Sequence, residues 1–311
     1  MLRQSFLWLS NRHGVFRFIR NNRLARKFAS RFVAGETLET AIAAVRALNA
    51  QGITASLDLL GESVSSPAEA SATADQYVEM LDRIAAERLD ANVSLKLTAM
   101  GQDISEELCV ANITRVLERA KHHGTFVRLD MESSAYTERT LDLFTRRLYP
   151  AYPANVGIVL QSYLRRTAAD VEQSITLQCR VRLCKGAYKE PETVAFPEKS
   201  VVDANYATCM QRLMSAGNYP GLATHDEALI DAAKRYAAEQ GIAADRYEYQ
   251  MLYGVRRDLQ QALVRDGYRM RVYVPFGTQW YPYLMRRLAE RPANLAFMVG
   301  SVVKESLRRT R

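Results

Sequence analysis

The feature that most constrains this chain is a rhythm that begins near residue 50. Short apolar runs alternate with longer stretches of helical period. The runs are Ile53–Leu59, Val93–Leu97, Phe126–Met131, Val156–Leu160, Val181–Cys184, Gly221–Ala223, Tyr247–Gln250 and Arg271–Val274, eight in all. Helix candidates between them include Asp75–Arg88, Glu106–His122, Glu138–Leu148, Val202–Ala216 and Leu229–Gln240. Strands that alternate with helices imply parallel βαβ units. Eight such units in about 250 residues fit a closed α/β barrel of the TIM type, (βα)8. The alternative is an open doubly wound sheet. That fold often shows GxGxxG after a strand, and the motif does not occur here. No proline- or serine-rich linker breaks the rhythm, so one catalytic domain is expected. It takes residues 51–311 as barrel and C-terminal helix, preceded by a basic helical arm over residues 1–50.

Charge separates the two parts. Of the 42 Lys and Arg residues, eight lie in residues 1–35, before the first acid, Glu36. The remaining 34 basic residues equal the 34 acidic ones, so the net charge of +8 belongs to the arm. Net charge therefore gives no support to nucleic-acid binding by the body. Within the arm, Val15, Phe16 and Ile19 fall at helical spacing, as do Leu24, Phe28 and Phe32. Two readings stand: a basic amphipathic helix lying peripherally on an anionic membrane face, or a helix packed on the barrel with its charges in water. No apolar run approaches the ~20 residues of a membrane span. No stretch resembles a cleaved secretory signal. Cys109, Cys179, Cys184 and Cys209 form no CxxC pair, and the four histidines lack HExxH spacing. The cysteines read as buried small hydrophobes in a reducing cytoplasm, and no metal site is expected.

Polar groups gather where the runs end. Glu62 follows the first. Lys96 lies in the second, Asp130 in the third with Glu132 just after it, and Gln161 follows the fourth. Arg182 and Lys185 mark the fifth, followed by Gly186 and Ala187. Thr224 and His225 follow the sixth, the seventh holds Glu248 and Gln250, and Tyr273 sits in the eighth. Singly, each has a plain structural explanation: a satisfied ion pair, a helix cap or a turn glycine. Together they place charge at the carboxyl ends of the strands, where such barrels carry their chemistry. Cations outnumber acids there, which suits a carboxylate and a phosphate. Arg286 and Arg287, in the helix after the last run, add a possible carboxylate clamp, with Gln279-Trp280-Tyr281-Pro282-Tyr283 before them as a lid.

Seven stretches carry a resemblance: VSLKLTAMG (93–101), VRLDME (127–132), GIVLQSYLRR (157–166), VRLCKGAYKEP (181–191), ATHDE (223–227), YEYQMLYGVRRDLQ (247–260) and VYVPFGTQWYPYLMRRLAERPAN (272–294). In this order they resemble the flavin-dependent proline dehydrogenase family, in the form of its monofunctional bacterial members. The resemblance implies a distorted (βα)8 barrel that oxidises L-proline to Δ1-pyrroline-5-carboxylate by hydride transfer to FAD. Electrons then pass to a quinone, in the first step of proline catabolism to glutamate. By the same resemblance, Asp130 and Arg182 are catalytic, Arg182 lying near the flavin. Met131, Gln161, Lys185, Gly186, Ala187, Thr224 and His225 would also contact FAD. Lys96, Arg286 and Arg287 would hold the substrate carboxylate, and Tyr188, Leu252 and Tyr273 would wall its ring. Glu62 would pair with Arg286 as a gate. The implied location is cytoplasmic, with a peripheral contact at the inner membrane face through the arm.

The residues agree with redox chemistry. No protein side chain accepts a hydride, so a cofactor is required. The sequence identifies no base for the substrate amine. Two other readings remain: a Schiff-base lyase using Lys96 or Lys185, and a non-enzymatic module whose working part is the arm.

Overall fold

The computed structural model describes residues 30–61, 63–281 and 283. Eight parallel strands close into a barrel in sequence order, β1 Thr54–Leu59, β2 Ala91–Leu95, β3 Val127–Leu129, β4 Val156–Gln161, β5 Arg180–Cys184, β6 Gly221–Ala223, β7 Glu248–Leu252 and β8 Met270–Phe276. Leu57 pairs with Val93 on one side and Val274 on the other, which joins the last strand to the first. The fold is the expected (βα)8 barrel.

Among the described residues, eight α-helices accompany the strands. Before β1 comes α1 (Leu38–Asn49). After the strands come α2 (Pro67–Ala86), α3 (Glu106–His122), α4 (Ser134–Leu143), α5 (Thr167–Leu177), α6 (Lys199–Ala216), α7 (Glu227–Glu239) and α8 (Arg257–Arg265). The logic of α3 is local. Ser105 caps it, its hydroxyl accepting from Leu108 N at 3.1 Å, a contact whose loss costs about 1 kcal/mol. Glu106 and Glu107 open the helix, and Arg119 and Lys121 close it, matching the backbone dipole. Cys109, Ile113, Val116, Leu117 and Ala120 recur on one face and are buried.

Several boundaries differ from the sequence reading. Strand β2 covers residues 91–95 rather than 93–97, because Thr98–Met100 turns as a short 3-10 helix and leaves Lys96 just beyond the strand. Helix α2 starts at Pro67, eight residues early. Ser66 caps it and proline occupies its first turn, whereas its Ala- and Ser-rich start lacks apolar period. The stretch 38–49 of the expected arm forms α1, whose Ala41, Ile42, Val45 and Leu48 join the barrel's own core. Residues 1–29 of the arm, with Glu62, Arg286 and Arg287, lie outside the described residues.

Between strands and helices the core is apolar: Leu57, Val93, Val127, Ile158, Val181, Leu222, Val272 and Val274 are buried in it. Their neighbours in sequence point into the barrel, and many are polar. That interior positions the site.

Candidate active site

Arg182 of β5 is the hub. Its Nη1 donates to Asp130 Oδ1 at 2.8 Å and to Ser94 Oγ at 3.1 Å, and its Nη2 to Ser56 Oγ at 3.4 Å. Its Nε donates to Gln250 Oε1 at 2.6 Å. The guanidinium also lies 5.2 Å from the centre of the Tyr273 ring. One side chain thus meets residues from β1, β2, β7, β8 and the end of β3, so it crosses the barrel. Asp130 is shared: Ser94 Oγ and Tyr273 Oη each donate to it at 2.7 Å. Burial, then the charges of Asp130 and Asp58, push the Tyr273 phenol well above its usual pKa, so it remains a donor.

A second ion pair stands beside this one. Lys96 Nζ lies 3.2 Å from Asp58 Oδ1, on an almost fully buried carboxylate. Burial alone would lower the pKa of Lys96. Asp58 and Asp130 outweigh that effect and raise it, so the ammonium stays charged. Asp58 carries no role in the sequence reading. Its signal is a carboxylate in the middle of an apolar run, which requires a buried cation.

The walls of the mouth come from loops after the strands. The backbone at Gly186 has φ +104°, and a Cβ there would fall 2.1 Å from the Tyr163 ring, so only glycine lets the loop lie flat on that ring. The loop is anchored further along, where Glu190 accepts from Ser134 N at 2.8 Å and from the Ser134 hydroxyl. Lys185 is held by Asp226 at 2.7 Å and Asp203 at 2.5 Å. Burial would raise both carboxyl pKa values, but the lysines keep them lowered. Asp226 also caps α7, accepting from Ala228 N at 3.2 Å. Leu252 N donates to His225 Nε2 at 2.9 Å, which requires that nitrogen to be unprotonated. Gln161 donates from Nε2 to Met131 O and Glu132 O, while its buried Oε1 has no partner among the described residues.

These groups surround one cavity of about 1120 Å³. Lys96, Asp130, Met131, Gln161 and Arg182 line it, as do Lys185, Gly186, Ala187 and Tyr188. So do Thr224, His225, Leu252 and Tyr273. Gln279 and Tyr283 of the aromatic segment join them, while Trp280 is buried and donates to Glu36 at 2.8 Å. Phe32, within the expected arm, also reaches the cavity.

Three sequence expectations need correction. Glu248 begins β7, so it lies at the amino end of the barrel, where Arg271 Nε donates to it at 2.8 Å. Period-two alternation puts Glu248 and Gln250 on the same face, but only Gln250 reaches the cavity. Glu132 does not line the cavity either; it accepts from Thr98 Oγ1 at 2.8 Å and is buried. Cys184 is only half-buried and forms part of the cavity wall, unlike the other three cysteines.

A closed parallel barrel with cations on its floor and polar loops at the carboxyl ends of its strands defines a (βα)8-barrel enzyme. Residues 41–299 match the sequence profile described as proline dehydrogenase. The chain belongs to the proline dehydrogenase family, a family of oxidoreductases. A proline dehydrogenase of Deinococcus radiodurans is 45% identical over 279 residues, covering 89% of this chain and 90% of that one. Proline dehydrogenase 2 of Bacillus subtilis is 42% identical, covering 97% and 99%. Among solved structures, proline utilization A from Bdellovibrio bacteriovorus, inactivated by N-propargylglycine, superposes with a TM-score of 0.80 at 28% identity. The match covers 88% of this chain and 33% of that one, so the chain spans about a third of that larger protein.

Proposed function

We propose that this protein oxidises L-proline to Δ1-pyrroline-5-carboxylate, with FAD as its bound electron acceptor and a quinone as the onward one. The observation that carries the reading is the cluster of Arg182, Asp130, Lys96 and Tyr273 on the floor of one cavity, in a chain of this family. Two features of the walls fit a flavin nucleotide. Gln161 Oε1 is a buried acceptor without a partner among the described residues, suited to a ring or ribose donor. The Gly186 loop, seated on the Tyr163 ring where no side chain would fit, lines the cavity with backbone whose N–H groups would suit an anionic group. Met131, Gln161, Lys185, Gly186, Ala187, Thr224 and His225 would hold FAD, with Arg182 against it. When bound, FAD supplies the hydride acceptor that no side chain provides.

The chain's own residues bind and orient the substrate. Lys96, kept charged by Asp58 and Asp130, offers a cation to a carboxylate. Arg286 and Arg287 would complete that clamp, and Glu62 would pair with Arg286 when the mouth closes. Tyr188, Leu252 and Tyr273 would bound the ring. A Schiff-base lyase needs a neutral lysine, and the charge on Lys96 argues against that reading. We place the reaction in the cytoplasm, with the basic arm as a peripheral membrane contact.

The test is an absorption spectrum of the purified protein. A flavin band that bleaches anaerobically on addition of L-proline is expected. A colourless protein that FAD cannot reconstitute overturns the reading.

A further inference from the structure

We propose that Gln250 is a positioning residue for the oxidation, a neutral spacer that keeps Arg182 turned toward Asp130 and away from Glu248. The proposal rests on reading the cavity as a flavin-dependent proline dehydrogenase site.

Two buried ion pairs lie one below the other in the barrel. The upper pair is Arg182 with Asp130, and the lower is Arg271 with Glu248, each at 2.8 Å. Gln250 stands between them. Its Oε1 accepts from Arg182 Nε at 2.6 Å, and its Nε2 donates to Glu248 Oε1 at 2.6 Å. An arginine Nε only donates and a carboxylate only accepts, so the partners dictate which way the amide points. A carboxamide can accept on one side and donate on the other without adding charge. A carboxylate at this position would meet Glu248 as a like charge. An apolar side chain would leave Arg182 Nε unpaired in a low-dielectric interior, with the Glu248 carboxylate, shared with Arg271, as the alternative acceptor below it. The cation would then shift down the barrel, away from Asp130 and the cavity.

The surrounding sequence makes room for this amide. Gly221 of β6 stands level with Arg182 on one side and Glu248 on the other. A Cβ at Gly221 would fall 2.3 Å from Gln250 Nε2. A glycine within a strand weakens it, and close approach of another group is a common reason for one. Here the group that approaches is the Gln250 amide. Glu248 is itself held by Tyr219 Oη at 3.2 Å, and Arg271 by the carbonyl of Ala55 at 2.8 Å. The lower pair is therefore a fixed base against which Gln250 sets the upper one.

The test uses the FAD-loaded protein and Gln250→Met, which keeps the length of the side chain and removes both hydrogen bonds. The expected result is a fall in kcat of about ten- to a hundred-fold, the scale of a small misplacement of a catalytic group. KM for proline should stay within about three-fold, because the carboxylate contacts are untouched. The midpoint potential of the bound flavin should become more negative as the cation withdraws. In an Arg182→Met background, Gln250→Met should leave that potential unchanged. A shift of equal size in both backgrounds would mean a general packing effect and overturn the proposal. Gly221→Ala, which displaces the amide without removing a polar group, should lower kcat by a smaller factor; an unchanged kcat would also overturn it. If proline bleaches the flavin of the wild type, and Gln250→Met matches the wild type in kcat and potential, this proposal alone fails. A wild type that binds no FAD overturns the functional reading and this proposal together.

Discussion

At the scale of single residues, the site depends on groups that tolerate no substitute. Gly186 is one, since its positive φ and the Tyr163 ring both exclude a side chain. Gly186→Ala should purify with a much lower FAD content at unchanged secondary structure, read from the ratio of flavin to protein absorbance. A full complement of FAD would show that the loop has no part in holding the cofactor. Asp58 is another. Asp58→Ala leaves the Lys96 ammonium without its nearest partner, and unpairing a buried charge costs about 3–5 kcal/mol. Urea unfolding should show a loss of that size; a loss below about 1 kcal/mol would mean that Lys96 finds water or another anion instead. Asp58 was legible in principle. Ser56 with Asp58, Ser94 with Lys96, Arg128 with Asp130, Glu248 with Gln250 and Arg271 with Tyr273 repeat a polar residue every second position. In strands covered by helices on one side, that period marks a polar interior.

At the scale of elements, the sequence located all eight strands and several helices, because apolar period survives in any context where a face is buried. It was weaker at ends. A strand stops where its neighbour stops pairing, and β2 ends early because the chain turns at Thr98. The ends also decide which charges face the mouth. Glu248 belongs to the ladder between β6 and β7, where burial would raise its pKa but Arg271, the Gln250 hydrogen bond and Arg128 together lower it. A carboxyl whose pKa is lowered on folding contributes stability above its unfolded pKa of about 4.5 and loses it as pH falls through the folded value. Glu248→Gln should therefore melt well below the wild type at pH 7. The gap should narrow as the pH falls below about 4.5. Melting curves at a series of pH values measure it, and a gap of constant size would contradict the ionic role.

At the scale of the whole molecule, the cavity is built from loops on six of the eight strands and the segment after β8, so a ligand there ties distant parts of the chain together. Cofactor binding should stabilise the fold as a unit. At a hundred times its dissociation constant, FAD would add about 2.7 kcal/mol, or roughly 4 °C in melting temperature for a chain of this size. Calorimetry of the stripped and reconstituted protein tests this, and equal melting temperatures would count against an ordered cofactor site. The sequence by itself determined the barrel, the family and most of the polar residues at the mouth. Those depend on hydrophobic period and on local motifs, which are written along the chain. Only the tertiary structure decided which charge meets which. Asp58 with Lys96, Arg182 with Gln250 and Gly221 beneath that amide are contacts between strands far apart in sequence, and barrel closure and register alone bring them within hydrogen-bonding reach.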